Sequence, residues 1–229
     1  MSGGPSLIIG RQPSCTPFAR SWEENARSAR LCRGGMLGDL MDKLLVIVFS
    51  YAWFGVEAYN QIQQRKRRDR SAAPADRGSL VLLYVCIAIG YSVAIAVSFA
   101  PLGRLPGGQP FWLLVGAACI AGGLWIRHSA MATLGAHFTY QVKIQTDHRL
   151  IETGPYRRIR HPGYLGQLLV VFGVGIALAN GLSVVGLMVP VLAAFLWRIR
   201  VEEEALRREF AGQFDSYAGR TCRLIPGLY

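Results

Sequence analysis

The chain has 229 residues, 52 % of them hydrophobic and only 17 % charged, with a formal net charge of +11. Its apolar residues gather in long runs, which excludes an ordinary soluble domain and reads as an integral membrane protein. Its basic residues fall in the gaps between those runs, so membrane topology accounts for them and no nucleic-acid partner is expected.

Residues 1–35 are rich in Ser, Gly, Pro and Arg and offer no sustained apolar face, so they are expected to be a disordered extension. They lack the basic start, apolar stretch and small-residue cleavage site of a signal peptide. Met36 is followed almost at once by apolar sequence, so translation is expected to begin there. The first apolar run covers about Leu40 to Tyr59, with Glu57 near one end. The basic cluster Arg65–Arg70 and a Ser/Ala/Pro/Gly linker follow, then a second run, Ser79 to Ala100. A short loop to Pro110 leads to a third run, Phe111 to about Ile126, and a polar segment begins at Arg127. The fourth run, Gly163 to Ala179, is separated by Asn180-Gly181 from a fifth, Leu182 to Trp197.

Each run approaches the roughly 20 residues that cross a bilayer. The predicted fold is an all-α integral membrane protein of about five transmembrane helices, the last two a hairpin. Lys and Arg number six in each of 60–78, 127–163 and the tail from 198, against one in 101–110 and none in 180–183. By the positive-inside rule those three segments, including a C-terminal helix, are cytoplasmic. The division expected is 1–35, then three spans over 36–126, then a catalytic part over 127–229.

The spans are nearly free of ionisable groups, which argues against a transporter. The polar residues concentrate instead in Gly154-Pro-Tyr-Arg-Arg-Ile-Arg-His-Pro-Gly-Tyr-Leu-Gly166. Pro162 is placed to open a helix, whose N-terminus would carry amide donors and partial positive charge toward an anion. Alone, Arg157, Arg158 and Arg160 read as lipid-headgroup anchors, Tyr156 and Tyr164 as interfacial residues, and His161 as a cap. His128, His137 and His148 lack metal-ligand spacing, so no metal is expected, and the five cysteines contain no CxxC pair. In the tail, Glu203–Arg207 and Glu204–Arg208 have the order that stabilises a solvated helix face. Arg198 and Glu202 share a face in the weaker order, where the helix leaves the membrane.

Taken together, His148-x5-Gly154-Pro-Tyr-Arg-x-x-Arg-His-Pro-x-Tyr-Leu-Gly166, then Arg198-Ile-x-x-Glu-Glu203, then Tyr217 and Arg223-Leu-Ile-Pro-Gly227 resemble the isoprenylcysteine carboxyl methyltransferase family. A wider group includes phospholipid N-methyltransferases. The resemblance is strong over about residues 130–229 and absent before Met36. It implies a membrane enzyme that uses S-adenosylmethionine and methylates a lipophilic small molecule or lipid, most simply at a carboxylate. It implies cofactor contacts from Tyr156, His161, Tyr164 and His148, with Gln145 and Val142 placed by distance before the motif. It puts Arg198 and Glu202 at the junction of cofactor and acceptor, Arg198 on the acceptor carboxylate and Glu202 orienting it. Gln167 stands where the family often has Glu. No obligate protein partner is evident. Absence of eukaryotic targeting features points to a bacterial inner membrane. The rival readings are an NADPH-dependent sterol/steroid-type reductase, with the three arginines on phosphates, a phospholipid N-methyltransferase, and a non-catalytic scaffold.

Overall fold

The computed structural model describes residues 37–57, 59, 63, 78–135 and 150–227. The expectations of a disordered 1–35 and a start at Met36 lie outside the described residues, as do those for Val142, Gln145 and His148. Residues 42–229 form one compact unit; of the other, 1–41, only 37–41 are described, as helix.

The elements are helix α1 (residues 37–57), α2 (Ser79–Ser98), α3 (Gln109–Leu134), a 3₁₀ helix (Gly154–Arg157), α4 (Pro162–Ala177) and α5 (Gly181–Arg220). No strand forms among the described residues, only two isolated bridges. Helices α2, α3 and α5 are long and apolar enough to cross a membrane, whereas α4 has 16 residues, about 24 Å of rise. Large apolar side chains such as Val81, Val85, Phe111, Leu114, Val185 and Val189 are exposed on the outer faces of these helices, as lipid-facing positions require.

Helix α4 begins where Pro162 supplies the N1 residue, as expected. Helix α3 instead runs past Ile126 to Leu134, two turns into the segment expected to be polar loop. Arg127, His128 and Ser129 do not stop a helix that continues into the good formers Ala130, Met131, Ala132 and Leu134. Gly135, at φ 51°, ends it.

Helices α3 and α4 meet backbone to backbone through Gly116 and Gly123 on one side and Gly166 and Gly173 on the other. A Cβ on Gly123 would lie 2.5 Å from the Gly166 carbonyl oxygen, and one on Gly173 2.7 Å from that of Gly116. Small residues allow such contact in a membrane, where apolar burial does not drive helices together.

The turn from α4 to α5 is tight. Asn180, fully buried, caps α5 by accepting from the Leu182 and Ser183 amides at 2.9 and 3.2 Å. Its amide nitrogen donates to the Leu102 carbonyl at 2.9 Å, and Ser183 Oγ donates to the Ala94 carbonyl at 2.7 Å. One polar side chain thus joins the α4–α5 turn to the α2–α3 loop. Lys43, also buried, donates to the Ser98 carbonyl at 2.9 Å and satisfies the end of α2. The core between these helices is built from Ala94, Val171, Val174, Leu178, Leu187, Val191 and Phe195.

Candidate active site

The end of the bundle where α3 finishes and α4 begins holds the polar residues. Gly154, at φ +57°, turns the chain into the 3₁₀ helix against α3; a Cβ there would sit 2.9 Å from Thr133 Oγ1. Beyond it, residues 158–161 pair with the tail. The Cys222 amide donates to the Arg158 carbonyl at 3.0 Å, the Arg160 amide to Cys222 at 2.8 Å, and the His161 amide to Arg223 at 3.1 Å. Tyr217 adds a hydroxyl donated to the Tyr156 carbonyl at 2.7 Å. The tail therefore forms one wall of the stretch.

His161 is the N-cap residue of α4 but makes no side-chain cap. Its ring stacks on Tyr164, centroids 5.5 Å apart and planes 8° off parallel. Its Nε2 lies 3.4 Å from Glu203 Oε1 and its Nδ1 3.8 Å from Glu202 Oε2. The Tyr164 hydroxyl donates to Glu202 Oε2 at 2.7 Å and accepts from Arg198 Nε at 3.0 Å. Arg198, 2 % exposed, also donates from Nη1 to Ser79 Oγ at 3.0 Å, which fixes it to the first turn of α2. Glu202 bears on Arg198 through the phenol between them.

Two adjacent carboxylates have opposite fates. The Glu202 side chain is 31 % exposed and that of Glu203 4 %, so only Glu202 faces space a ligand can enter. Glu203 accepts from Arg160 Nε at 2.9 Å and from Arg223 Nε at 3.0 Å. The expected Glu203–Arg207 pair is therefore replaced: Glu203 turns inward and Arg207 pairs with Asp215 at 2.8 Å. Glu204–Arg208 does form, on the exposed face. Burial alone would raise the Glu203 carboxyl, but the hydrogen bond and charge of His161, then those of Arg160, hold it at about 2. Burial, and next the Glu202 charge, push the half-buried Tyr156 hydroxyl well above the usual phenol range, leaving it a neutral donor.

Arg160 also differs from its expected role at a headgroup or phosphate. It donates to Glu203, to the Ala218 carbonyl at 2.8 Å and to the Thr221 carbonyl, tying the stretch to the end of α5. Arg157 and Arg158 are exposed. Among the expected site residues, Tyr156, His161, Tyr164, Arg198 and Glu202 come together.

Sequence reasoning picked out Glu57 as the one ionisable residue in the spans but did not pair it with Arg127. Arg127 donates from Nε and Nη2 to the two Glu57 oxygens at 2.8 and 2.9 Å, and both residues are buried. Arg127 Nη1 also reaches the Gly163 carbonyl at 3.5 Å. The available signal was a lone acid in one apolar run and a lone base closing another.

A family model described as phospholipid methyltransferase matches residues 111–213. A probable protein-S-isoprenylcysteine O-methyltransferase of Oryza sativa subsp. indica is 32 % identical over 164 residues, 67 % of this chain and 86 % of that protein. Protein-S-isoprenylcysteine O-methyltransferase B of Arabidopsis thaliana is 32 % identical over 59 % of this chain and 73 % of its own length. Among solved structures, a eukaryotic intramembrane Ras methyltransferase is 25 % identical, with TM-score 0.46, over 67 % of this chain and 51 % of that one. The chain spans about half the length of that structure. These relatives are eukaryotic, and lend nothing to a bacterial inner-membrane placement.

Proposed function

Since the chain belongs to the isoprenylcysteine carboxyl methyltransferase family and is a membrane methyltransferase, we propose that it esterifies the carboxylate of an isoprenylcysteine-type acceptor with a methyl group from S-adenosylmethionine. The observation that carries this reading is the Tyr164 hydroxyl standing between Arg198 and Glu202. It links the first turn of α4, where an anionic group is stabilised, to the guanidinium best shaped for a carboxylate.

S-adenosylmethionine, when bound, supplies a methyl on a positively charged sulfonium. The residues present fit such a group. At the N-terminus of α4, Pro162 has no N–H and the Tyr164 amide donates to the His161 carbonyl at 3.1 Å. This leaves the Gly163 amide, uncapped by any side chain, as the first-turn donor, and Tyr156 offers a neutral hydroxyl. Glu202 is the accessible carboxylate for a cationic centre. His161, stacked on Tyr164, fixes one ring face of the site. Arg198 holds the acceptor carboxylate in two-pronged fashion, with Tyr164 setting the guanidinium plane and Glu202 setting Tyr164. Displacement at a methyl carbon needs its partners in line, and positioning of this kind supplies much of the rate. The buried surroundings exclude water and favour a step in which opposite charges annihilate.

The five-span arrangement with the site on the cytoplasmic face belongs to the same proposal, supported by the distribution of basic residues. The acceptor's tail lies among the helices away from the α3–α4 seam, whose glycines bring the two backbones together and leave no room between them.

The test is purified protein with methyl-labelled S-adenosylmethionine and a farnesylated cysteine. A product whose label is released by mild base supports the ester. A base-stable product points to nitrogen as acceptor, and NADPH binding without methyl transfer overturns the reading.

A further inference from the structure

Tyr84 lies on α2, near the polar end of the bundle. Arg198 fixes that end of α2 by donating from Nη1 to Ser79 Oγ at 3.0 Å, and Tyr84 follows Ser79 by five residues. The helix then runs to the opposite end, where the Ser98 carbonyl meets Lys43. Tyr84 therefore stands about 7.5 Å further into the bundle than Ser79. Its ring meets the edge of Phe54 on α1, centroids 5.3 Å apart and planes at 83°. Phe54 precedes Glu57 by about one turn, and Glu57 holds Arg127 through both carboxylate oxygens. Two polar groups thus converge on Tyr84, Arg198 by way of α2 and the Glu57–Arg127 pair by way of α1.

Glu57, Arg127 and Arg198 all act electrostatically on the Tyr84 phenol. Two of these are guanidiniums and one a carboxylate, so the hydroxyl has cationic surroundings. Glu202 is not among them, since the Tyr164 phenol stands between it and Arg198. Tyr84 is half-buried, and its hydroxyl makes no hydrogen bond among the described residues. An enclosed tyrosine hydroxyl ordinarily finds a partner, above all at membrane depth where water is scarce. Tyr164 and Tyr217 both do. The partner that suits Tyr84 accepts a hydrogen bond and carries negative charge. Depth decides its source: Tyr84 lies inward of the Arg198–Ser79 contact, on the side from which a lipophilic acceptor enters.

We propose that the Tyr84 hydroxyl donates a hydrogen bond to the acceptor carboxylate held by Arg198, which makes Tyr84 an acceptor-binding residue. This rests on the carboxyl-methylation reading above. A carboxylate has lone pairs for several donors. Arg198 supplies the charge, and a second donor from a different helix stops the carboxylate turning about its axis. One oxygen is then kept toward the methyl. The ester formed is neutral and a poorer acceptor, so the contact weakens once transfer is complete and favours release.

The test is Tyr84→Phe in the full-length protein, assayed with methyl-labelled S-adenosylmethionine and the farnesylated cysteine. The acceptor KM is expected to rise about tenfold, the scale of one charge-assisted hydrogen bond. The cofactor KM and kcat should stay within about twofold, because the contact is made to the ground-state anion. Tyr91→Phe, about two turns further along α2, should leave all three parameters unchanged. The proposal is overturned if the acceptor KM of Tyr84→Phe rises by less than about threefold. A rise no greater than that of the cofactor KM, or one shared by Tyr91→Phe, marks a packing role and overturns it too. If the wild type forms no base-labile ester, thermal stabilisation by the farnesylated cysteine and by its methyl ester decides. A larger shift with the acid, lost in Tyr84→Phe, keeps the contact and removes the methylation reading; any other pattern removes the contact. Tyr84→Met carries the same comparisons should Tyr84→Phe fail to fold.

Discussion

Tyr164 makes two hydrogen bonds with one oxygen, and its ring is held by His161. Tyr164→Phe keeps the packing and removes only the link between Arg198 and Glu202. Methyl transfer assayed on that variant is expected to fall about 10- to 100-fold in kcat/KM, the effect of losing charge-assisted contacts, with a melting temperature close to wild type. Glu203 makes a different prediction. Its folded carboxyl, at about 2, lies below its ordinary value of 4.5, so its contribution to stability is present above about 4.5 and is lost as pH falls through 2. Thermal unfolding in detergent from neutral to acid pH should show an acid limb that is flatter in Glu203→Gln. Spacing along α5 could not distinguish Glu203 from Glu204. The first was expected on a solvated face, but helix periodicity says which residues share a face, not which face is covered.

The seam between α3 and α4 separates two neighbouring glycines. A Cβ on Gly123 meets the Gly166 carbonyl at 2.5 Å and the Val170 amide at 2.8 Å, both backbone, whereas one on Gly122 has its nearest contact with Leu169 Cδ2 at 3.7 Å. Gly123→Ala should therefore destabilise by about 1–3 kcal/mol through overpacking, while Gly122→Ala is neutral or better, since alanine favours helix. Melting temperatures of the pair check this. Helix α5 is two helices meeting at a kink, where Ala211 adopts the non-helical φ 39°, ψ −120°. Ala211→Gly should stabilise by about 1 kcal/mol by relieving that strain, again read from the melting temperature. The start of α4 and the hairpin turn were legible because Pro162 and Asn180-Gly181 are local signals. The end of α3 was not, because nothing local stops a helix at Arg127. The Arg127–Glu57 and Arg198–Ser79 contacts join residues 70 and 119 apart in sequence, and such pairings follow from tertiary packing alone.

Over the whole molecule, polar residues divide between two ends. Lys43, Arg104 and Asn180 mark one; Glu57, Arg127, the 154–161 stretch and Arg198 mark the other. Arg104 and Arg158 are both exposed and give the orientation a direct check. In a cysteine-free background, a membrane-impermeant maleimide on intact cells should label Arg104→Cys and label Arg158→Cys only after permeabilisation. The opposite pattern would invert the topology. The asymmetry of the basic residues is what supports the proposed orientation. The site's closure was not readable, because it depends on a tail folding back across roughly sixty residues. That folding back imposes an order on biogenesis. Residues 154–166 are made, and α4 can insert, before Tyr217, Cys222 and Arg223 have been synthesised. Until those arrive, the Tyr156 carbonyl, the 158–161 backbone and Arg160 lack the partners that the tail gives them. With the site proposed above, the nascent protein is inserted before the site is closed, and competence is expected only once the tail docks.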